Sequence, residues 1–175
     1  MRKLLVIAAL LSLAAAPGPA FHYWLDCPHS SVRARVSYMG FASKTASFPQ
    51  MRGSIRLNPA RLDTIDLDVE LDAGTLIGGS TGDTKYLRGK DFFAVEQYPV
   101  VRFSGHKMVM SGPATAAVEG MITTRGITRP ATLAMTFDAP PARATGRDPI
   151  VLTARTSINR RDFGMTPIRW WSARL

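Results

Sequence analysis

The sequence is poor in the residues that usually carry catalysis or metal binding. It has one cysteine, Cys27, and three histidines, His22, His29 and His106, and none of them stands at a metal-ligand spacing. The 175 residues contain no G-x-S-x-G motif and no glycine-rich phosphate loop. A single cysteine also excludes a disulfide within the chain, so packing must hold the fold together.

The acidic residues offer no better candidate for catalysis. Four of them alternate along one strand pattern, where they form a solvated face instead of an opposed carboxylate pair: Asp66, Asp68, Glu70 and Asp72. His29 and Ser30 could be proposed as base and nucleophile, but adjacent residues on a strand point to opposite faces. We therefore predict no catalytic residues, no metal site and no cofactor.

Long hydrophobic runs are missing after the N-terminus. The apolar residues 4–13 follow a short basic start and precede three alanines, which is typical of a secretory signal peptide and too short to span a bilayer. Cleavage could follow Ala16 or Ala20, and we favour Ala20 because Pro17 would stand just after the earlier cut. The sequence thus predicts a signal peptide over residues 1–20 and a single domain over residues 21–175.

The charge is strongly unbalanced, with a formal net value of +9. An exported protein meets anionic lipid head groups and envelope polymers, so the excess of Lys and Arg fits contact with an anionic membrane surface or ligand, and not with nucleic acid. Charge kept only for solubility explains the same excess equally well.

Runs of alternating apolar and polar residues recur through the sequence. The clearest run is IDLDVELD, residues 65–72, and the pattern recurs over residues 32–38, 132–137 and 152–158. Turn signals such as Arg125-Gly126 separate the runs. Short, half-buried strands at this spacing predict an all-β antiparallel sandwich or barrel.

One segment departs from this pattern. Residues 81–93, TGDTKYLRGKDFF, lack alternation, and Thr81 and Asp83 suit the start of a helix. We predict a short helical segment here that plugs or covers one end of a barrel. It would bring four large side chains together: Tyr86, Leu87, Phe92 and Phe93.

A polar stretch near the C-terminus, TSINRRDFGM at residues 156–165, could be taken for an active site. We expect Ile158 to be the last inward residue of a strand and the residues after it to form a turn. Asp162 should pair with a local arginine or cap that turn, and Phe163 should fold back over the core.

The inward positions of such a barrel suit a hydrophobic ligand. Small Ala34 and Ala154 make room, and flexible methionines adapt to a long chain: Met39, Met51, Met108, Met121 and Met135. Each buried methylene contributes about 0.8 kcal/mol, so about ten of them would suffice for micromolar binding before entropic costs.

Five stretches together resemble the YceI-like family of bacterial secreted proteins. They are LDCPHSSV (25–32), YMGFASKTASF (38–48), YLRGKDFFAVEQYPVVRF (86–103), ITTRGITRPATLAMTF (122–137) and TSINRRDFGM (156–165). The resemblance implies an extended, lipocalin-like antiparallel β-barrel of about eight strands in the periplasm. It further implies a soluble binding protein that holds a polyisoprenoid, such as polyprenyl pyrophosphate or an isoprenoid quinone, for transport, storage or a stress response. Fatty amides are related amphiphiles that would also fit.

Within this interpretation the pore is lined by apolar residues at alternating or loop-end positions. They are Tyr38, Phe41, Leu57, Leu67, Val69, Phe92, Phe93, Phe103, Met135, Phe137, Ile158 and Phe163. Arg88, Arg160 and Arg161 are the candidates for contact with an anionic head group. Ordinary core packing is the alternative role for each apolar residue.

The C-terminus departs from the family pattern, in which a further full strand follows the DFGM motif. Here TPIRWWSARL either forms a shortened closing strand or is what remains of a truncated one. An open sheet edge would favour a homodimer. Two other functions stay open: a periplasmic enzyme acting on an isoprenoid or lipid head group, and an outer-membrane barrel, which the low aromatic content of 9% disfavours.

Overall fold

The computed structural model describes residues 18–38 and 42–165, without the side chains of Ser37, Tyr38 and Ala42. The predicted signal segment up to residue 17 and the TPIRWWSARL stretch lie outside the described residues. The described residues form ten strands and one α-helix. In chain order these are β1 (Phe21–Trp24), β2 (Val32–Tyr38), β3 (Ala42–Phe48), β4 (Met51–Asn58), β5 (Arg61–Asp72), β6 (Ile77–Gly78), α1 (Thr81–Arg88), β7 (Val100–Gly112), β8 (Thr115–Thr124), β9 (Ile127–Phe137) and β10 (Leu152–Arg155).

The strands form one large sheet and one small one. Seven strands pair antiparallel in the order β1-β4-β5-β7-β8-β9-β10, and β2, β3 and β6 form the second sheet. The large sheet curls into a half-barrel. The prediction of an antiparallel, lipocalin-like barrel with one short helix is confirmed, although its first and last described strands are only four residues long.

The register of the large sheet places the alternating apolar residues on its inner face. Leu57 pairs with Ile65 across β4 and β5, and Val69 pairs with Phe103 across β5 and β7. Paired residues point to the same side of a sheet, so these rows stack into one continuous core. The outer face is polar: Arg52 Nε donates to Glu70 at 2.6 Å, and Arg102 pairs with Asp68. The predicted solvated face of β5 therefore carries cross-strand ion pairs.

Two facing glycines let an aromatic ring lie against the inner wall. Gly105 of β7 pairs with Gly120 of β8, and a Cβ built on Gly120 would come within 2.7 Å of the Phe103 ring and would overlap the Ser104 carbonyl oxygen. Only glycine fits such a close approach within a strand. The Phe103 ring therefore covers the glycine pair instead of projecting across the interior.

The α-helix begins at Thr81, as predicted, but it is shorter than the predicted helical segment, and its cap is the residue before it. Ser80 caps it, because the Ser80 hydroxyl accepts the Asp83 backbone N–H at 3.1 Å. The helix ends at Arg88, and residues 89–93 continue as turns that carry Phe92 and Phe93 into the core.

The last described strand is also shorter than predicted. β10 ends at Arg155, so the expectation that it runs to Ile158 is wrong, and the Ile158 side chain is 41% exposed. A 3₁₀ turn over Arg160–Phe163 follows, capped by Asn159, whose side chain accepts the Arg161 backbone N–H. Asp162 accepts a bond from the Asn159 amide at 3.3 Å, and it pairs with no arginine of residues 18–38 and 42–165. Phe163 is buried, as predicted.

Candidate ligand-binding interior

Most of the predicted pore residues lie inside the half-barrel. Eight of the twelve are buried: Leu57, Leu67, Phe92, Phe93, Phe103, Met135, Phe137 and Phe163. Val69 is half-buried and packs against the same cluster. Ile158 lies outside it, while the Tyr38 side chain and all of Phe41 are outside the described residues. Seven of the eight buried residues thus belong to one hydrophobic cluster, and Leu57 is buried outside it.

The interior is not equally covered along the sheet. Met108, Val118 and Met135 are at most 2% exposed, whereas Leu133 of β9 is half-buried and Ala154 of β10 is exposed. Ala154 pairs with Met135, so it belongs to the inner face. Among the described residues, the inner surface is therefore accessible at Leu133 and Ala154 and covered at Met108, Val118 and Met135.

An aromatic cluster closes the end of the half-barrel next to α1. The ring centroids of Phe92 and Phe93 are 5.2 Å apart, Phe93 meets Phe48 edge-on at 5.7 Å, and Tyr86 lies 6.0 Å from Phe92. Such pairs add about 0.5–1.5 kcal/mol beyond their burial. We call this region, with α1, residues 89–98 and the Arg160–Phe163 turn, the helix end.

The turn between β8 and β9 is tied to the helix end. Arg125 and Gly126 both have positive φ values, +52° and +71°, as a tight two-residue hairpin turn requires. Arg125 Nη1 donates to the carbonyl oxygens of Lys90 and Phe92 at 2.9 and 2.5 Å. The predicted turn is present, and its arginine holds the aromatic residues in position.

The three head-group candidates differ in their surroundings. Arg88 Nε donates to the Leu76 carbonyl oxygen at 2.9 Å, and Arg161 is exposed. Arg160 is half-buried, and its Nη1 atom is buried without a hydrogen-bond partner among the described residues. A buried, unsatisfied guanidinium nitrogen costs free energy, so it requires an explanation such as a bound anion.

Tyr86 lies at the centre of a charged group at the helix end. Burial raises the pKa of its phenol, the charge of Asp91 raises it further, and the charges of Arg160 and Lys44 lower it. Tyr86 also lines an open depression of about 340 Å³ together with Lys85, Lys90 and Asp91. Two lysines, the Tyr86 phenol and the Asp91 carboxylate therefore surround this opening.

Arg129 is a candidate that the sequence interpretation missed. It pairs with Ile122 across β8 and β9, which places it on the inner-face row with Ala131 and Leu133, yet it is exposed. Within the part of the chain that the structure describes, its side chain donates one hydrogen bond, from Nη1 to the neighbouring Thr128 carbonyl oxygen. The sequence contained a signal for this position, because every second residue of a strand points to the same face. Residues 129, 131 and 133 therefore share the inner face.

A second, larger groove opens at the opposite end of β5 and β7. Its volume is about 700 Å³, and it is lined by Leu62, Asp63, Thr64, His106, Lys107, Met108, Val109 and Met110. We call it the β5–β7 groove. We call the end that contains it the turn end, because the β4–β5 and β7–β8 turns lie there.

The long connection between β9 and β10 also lies at the turn end and reaches the opposite sheet edge. Gly146 N–H donates to the Tyr23 hydroxyl at 3.1 Å, and the Phe21 ring lies where a Cβ on Gly146 would be. The first strand and the connection to the last one are thereby brought together. This contact lies at the turn end of the curled sheet, where β1 and β10 are not paired in the described ladder.

The remaining residues that the sequence offered for catalysis or metal binding make simple structural contacts. His29 Nδ1 lies 2.8 Å from Asp26 on the surface, away from Ser30, and the Cys27 thiol donates to the Met51 carbonyl oxygen at 2.7 Å. Within residues 18–38 and 42–165, no group of three or more His, Cys, Asp or Glu could hold a metal ion. None of the helices described is long and apolar enough to cross a membrane.

Comparison with known proteins identifies the family. A model of the YceI-like domain matches residues 23–173 of the chain. The chain belongs to the YceI-like family. A protein of Pseudomonas putida named "UPF0312 protein" is 26% identical over 157 residues, which cover 90% of this chain and 82% of the relative. A Pseudomonas fluorescens protein of the same name is 24% identical over 165 residues, with 94% and 86% covered.

Solved structures share this fold. BcnA of Burkholderia cenocepacia superposes with a TM-score of 0.69 at 19% identity, covering 80% of this chain and 84% of BcnA. The YCEI protein of Campylobacter jejuni gives a TM-score of 0.62 at 22% identity, with 82% and 84% covered. At these identities the likeness concerns the fold. A barrel of this family, with its apolar interior, is consistent with binding a hydrophobic ligand.

Proposed function

We propose that the protein binds a long-chain amphiphile in its apolar interior and acts as a carrier, not as an enzyme. The observation that carries this proposal is the largely apolar inner face, which stays accessible at Leu133 of β9 and Ala154 of β10. Apolar surface left open inside a curved sheet is the usual setting of a hydrophobic ligand.

The ligand that best suits this surface is a polyisoprenoid, such as a polyprenyl pyrophosphate or an isoprenoid quinone. Its chain would replace water along the inner face, with about 0.8 kcal/mol gained per buried methylene. The proposed setting is the periplasm, reached through a cleaved signal peptide over residues 1–20. In support, β1 begins at Phe21, the first residue after the proposed cut.

The head group of this ligand would lie at the helix end. Arg160 offers an unsatisfied buried nitrogen, Arg129 extends from the inner-face row, and Lys85 and Lys90 line the nearby depression. A phosphate there would accept charge-assisted hydrogen bonds. Arg160→Gln should weaken a polyprenyl pyrophosphate about tenfold or more, and Arg161→Gln, at the exposed neighbour, should leave its affinity unchanged.

The interior itself is tested by a matched pair of substitutions on β9. Ala131 faces inward and is half-buried, while the next residue, Thr132, is exposed on the outer face. Ala131→Phe should lower the affinity for a fluorescent polyprenyl lipid about tenfold, since the ring occupies space that the chain needs. Thr132→Phe should bind like the unmodified protein, and equal binding by both variants would refute an interior site.

A further inference from the structure

β5 and β7 separate before either strand ends. Their ladder runs from Asp72–Val100 to Leu67–Gly105, shifts register, and closes with the pair Thr64–Lys107. Beyond that pair, β7 continues beside β8 as far as Gly112. β5 instead stays beside β4, and its first residue, Arg61, pairs with Asn58. The β5–β7 groove occupies the gap between the two diverging strands.

The floor of the groove is continuous with the protein's interior. Met108 is a buried member of the core, and Leu62 and Met110 pack against the same core from the groove. Val109, between the two methionines, is 46% exposed. The groove therefore follows the edge of β7 from the outer surface to the apolar interior.

The ionisable residues at the rim each lie near a residue of opposite type just outside the groove lining. His106 lies 3.6 Å from Asp66, Lys107 Nζ lies 3.0 Å from Glu119, and Asp63 is 4.0 Å from Arg61. Paired rim charges leave the apolar floor as the main source of binding energy. The groove thus suits a hydrocarbon and offers no concentrated charge for a head group.

We propose that the β5–β7 groove is a side portal that takes the far end of the ligand's hydrocarbon chain. This inference rests on the proposed function and fixes the orientation of the ligand, with its head group at the helix end and its tail at the turn end. Chains longer than the interior would pass between β5 and β7, and the two methionines would move aside. A ligand that reaches from the helix end to this groove must be a long, flexible chain, and a compact hydrophobic molecule would not fill the site.

Methyl NMR of the full mature protein tests this orientation without any substitution. Methionines labelled at the methyl carbon would be observed with a polyprenyl lipid carrying a nitroxide at either end of its chain. The tail label should broaden the Met108 and Met110 signals and spare Met165, which is buried at the helix end. A head-group label should do the opposite. The reverse pattern, or no broadening of Met108 and Met110 by a bound tail-labelled lipid, would overturn the proposal.

A substitution that fills the β5–β7 groove with a larger side chain tests the portal independently. Met110→Trp should lower the affinity for a long polyprenol such as solanesol about tenfold and leave farnesol within about twofold. The matched control is Ser111→Trp, because Ser111 is the next residue, is exposed and does not line the groove. Equal loss for both alcohols, or no loss for the longer one, contradicts a portal. If the unmodified protein binds neither alcohol nor any other long-chain lipid, the proposed function fails instead.

Discussion

The two ends of the half-barrel differ in how deeply their large apolar side chains are buried. At the helix end, Phe92 and Phe163 are each 1% exposed and Arg125 bonds to the loop that carries Phe92. At the turn end, β5 and β7 diverge and Val109 is 46% exposed beside a groove of about 700 Å³. Packing thus closes the helix end, whereas the turn end contains the open groove that we propose to hold the ligand chain.

The largest expected effect comes from removing an aromatic ring at the helix end. Phe92→Ala should lower the free energy of unfolding by about 3–5 kcal/mol, since the ring is buried against Tyr86 and Phe93. Val109→Ala at the turn end should change it by less than about 0.5 kcal/mol. Urea denaturation of the two variants measures the difference, and similar losses would show that both ends are packed alike.

The inner wall itself offers a second comparison, between two glycines. Gly120→Ala should cost about 1–3 kcal/mol, because the new methyl group would collide with the Ser104 backbone and the Phe103 ring. Gly112→Ala at the turn end should cost less, since its Cβ would meet only the Thr115 side-chain oxygen at 2.8 Å. Thermal unfolding of both variants tests this order, and an equally stable Gly120→Ala variant would mean that the wall tolerates a side chain there.

A smaller effect is expected at alkaline pH. The pKa of Tyr86 is raised above its ordinary 10.0 in the folded state, so the folded protein holds this proton more tightly than the unfolded chain. Its contribution to stability is complete below about pH 10 and is lost as the pH rises through the folded-state pKa. Stability should therefore fall less steeply above pH 10 in Tyr86→Phe. Tyr98→Phe serves as the control, and identical slopes in all three proteins would contradict the assignment.

The smallest effect is expected on the outer face, where the two ends should behave alike. Glu70→Gln removes the partner of Arg52 towards the helix end, and Glu119→Gln removes the partner of Lys107 towards the turn end. Cross-strand ion pairs at a surface contribute less than about 1 kcal/mol. Chemical denaturation should find both variants within that limit. A markedly larger loss at one position would show that the contrast between the ends extends to the outer wall.

The sheet could be predicted well from the sequence because its signal is local. Alternation around Leu67 and Val69 assigned the inner face correctly, and Arg125-Gly126 marked a hairpin turn that is present. The end of β10 was missed, since Thr156 and Ile158 continue the alternation after the strand has ended. Period-two patterning reports which face a residue would occupy but not where strand pairing stops.

The candidate site was predictable only in part, because it depends on how distant strands meet. Residues such as Phe103 and Met135 could be assigned to the interior from their positions in the alternation of apolar and polar residues along their strands. The β5–β7 groove arises from a register shift between two strands, next to the pair Thr64–Lys107, whose members are 43 positions apart in the chain (107 − 64). No local sequence pattern predicts such a shift. The unsatisfied Arg160 nitrogen likewise depends on what packs around the turn after β10.

Native mass spectrometry of the mature protein, purified from membrane-containing cells without detergent, tests the central claim most directly. A carrier with an accessible apolar interior should retain a lipid, seen as a second species whose added mass matches a polyprenyl phosphate, an isoprenoid quinone or a related long-chain amphiphile. Ala131→Phe should lose this species and Thr132→Phe should keep it. A protein that carries no added mass, and that takes up no long-chain lipid when such lipids are offered, would contradict the account.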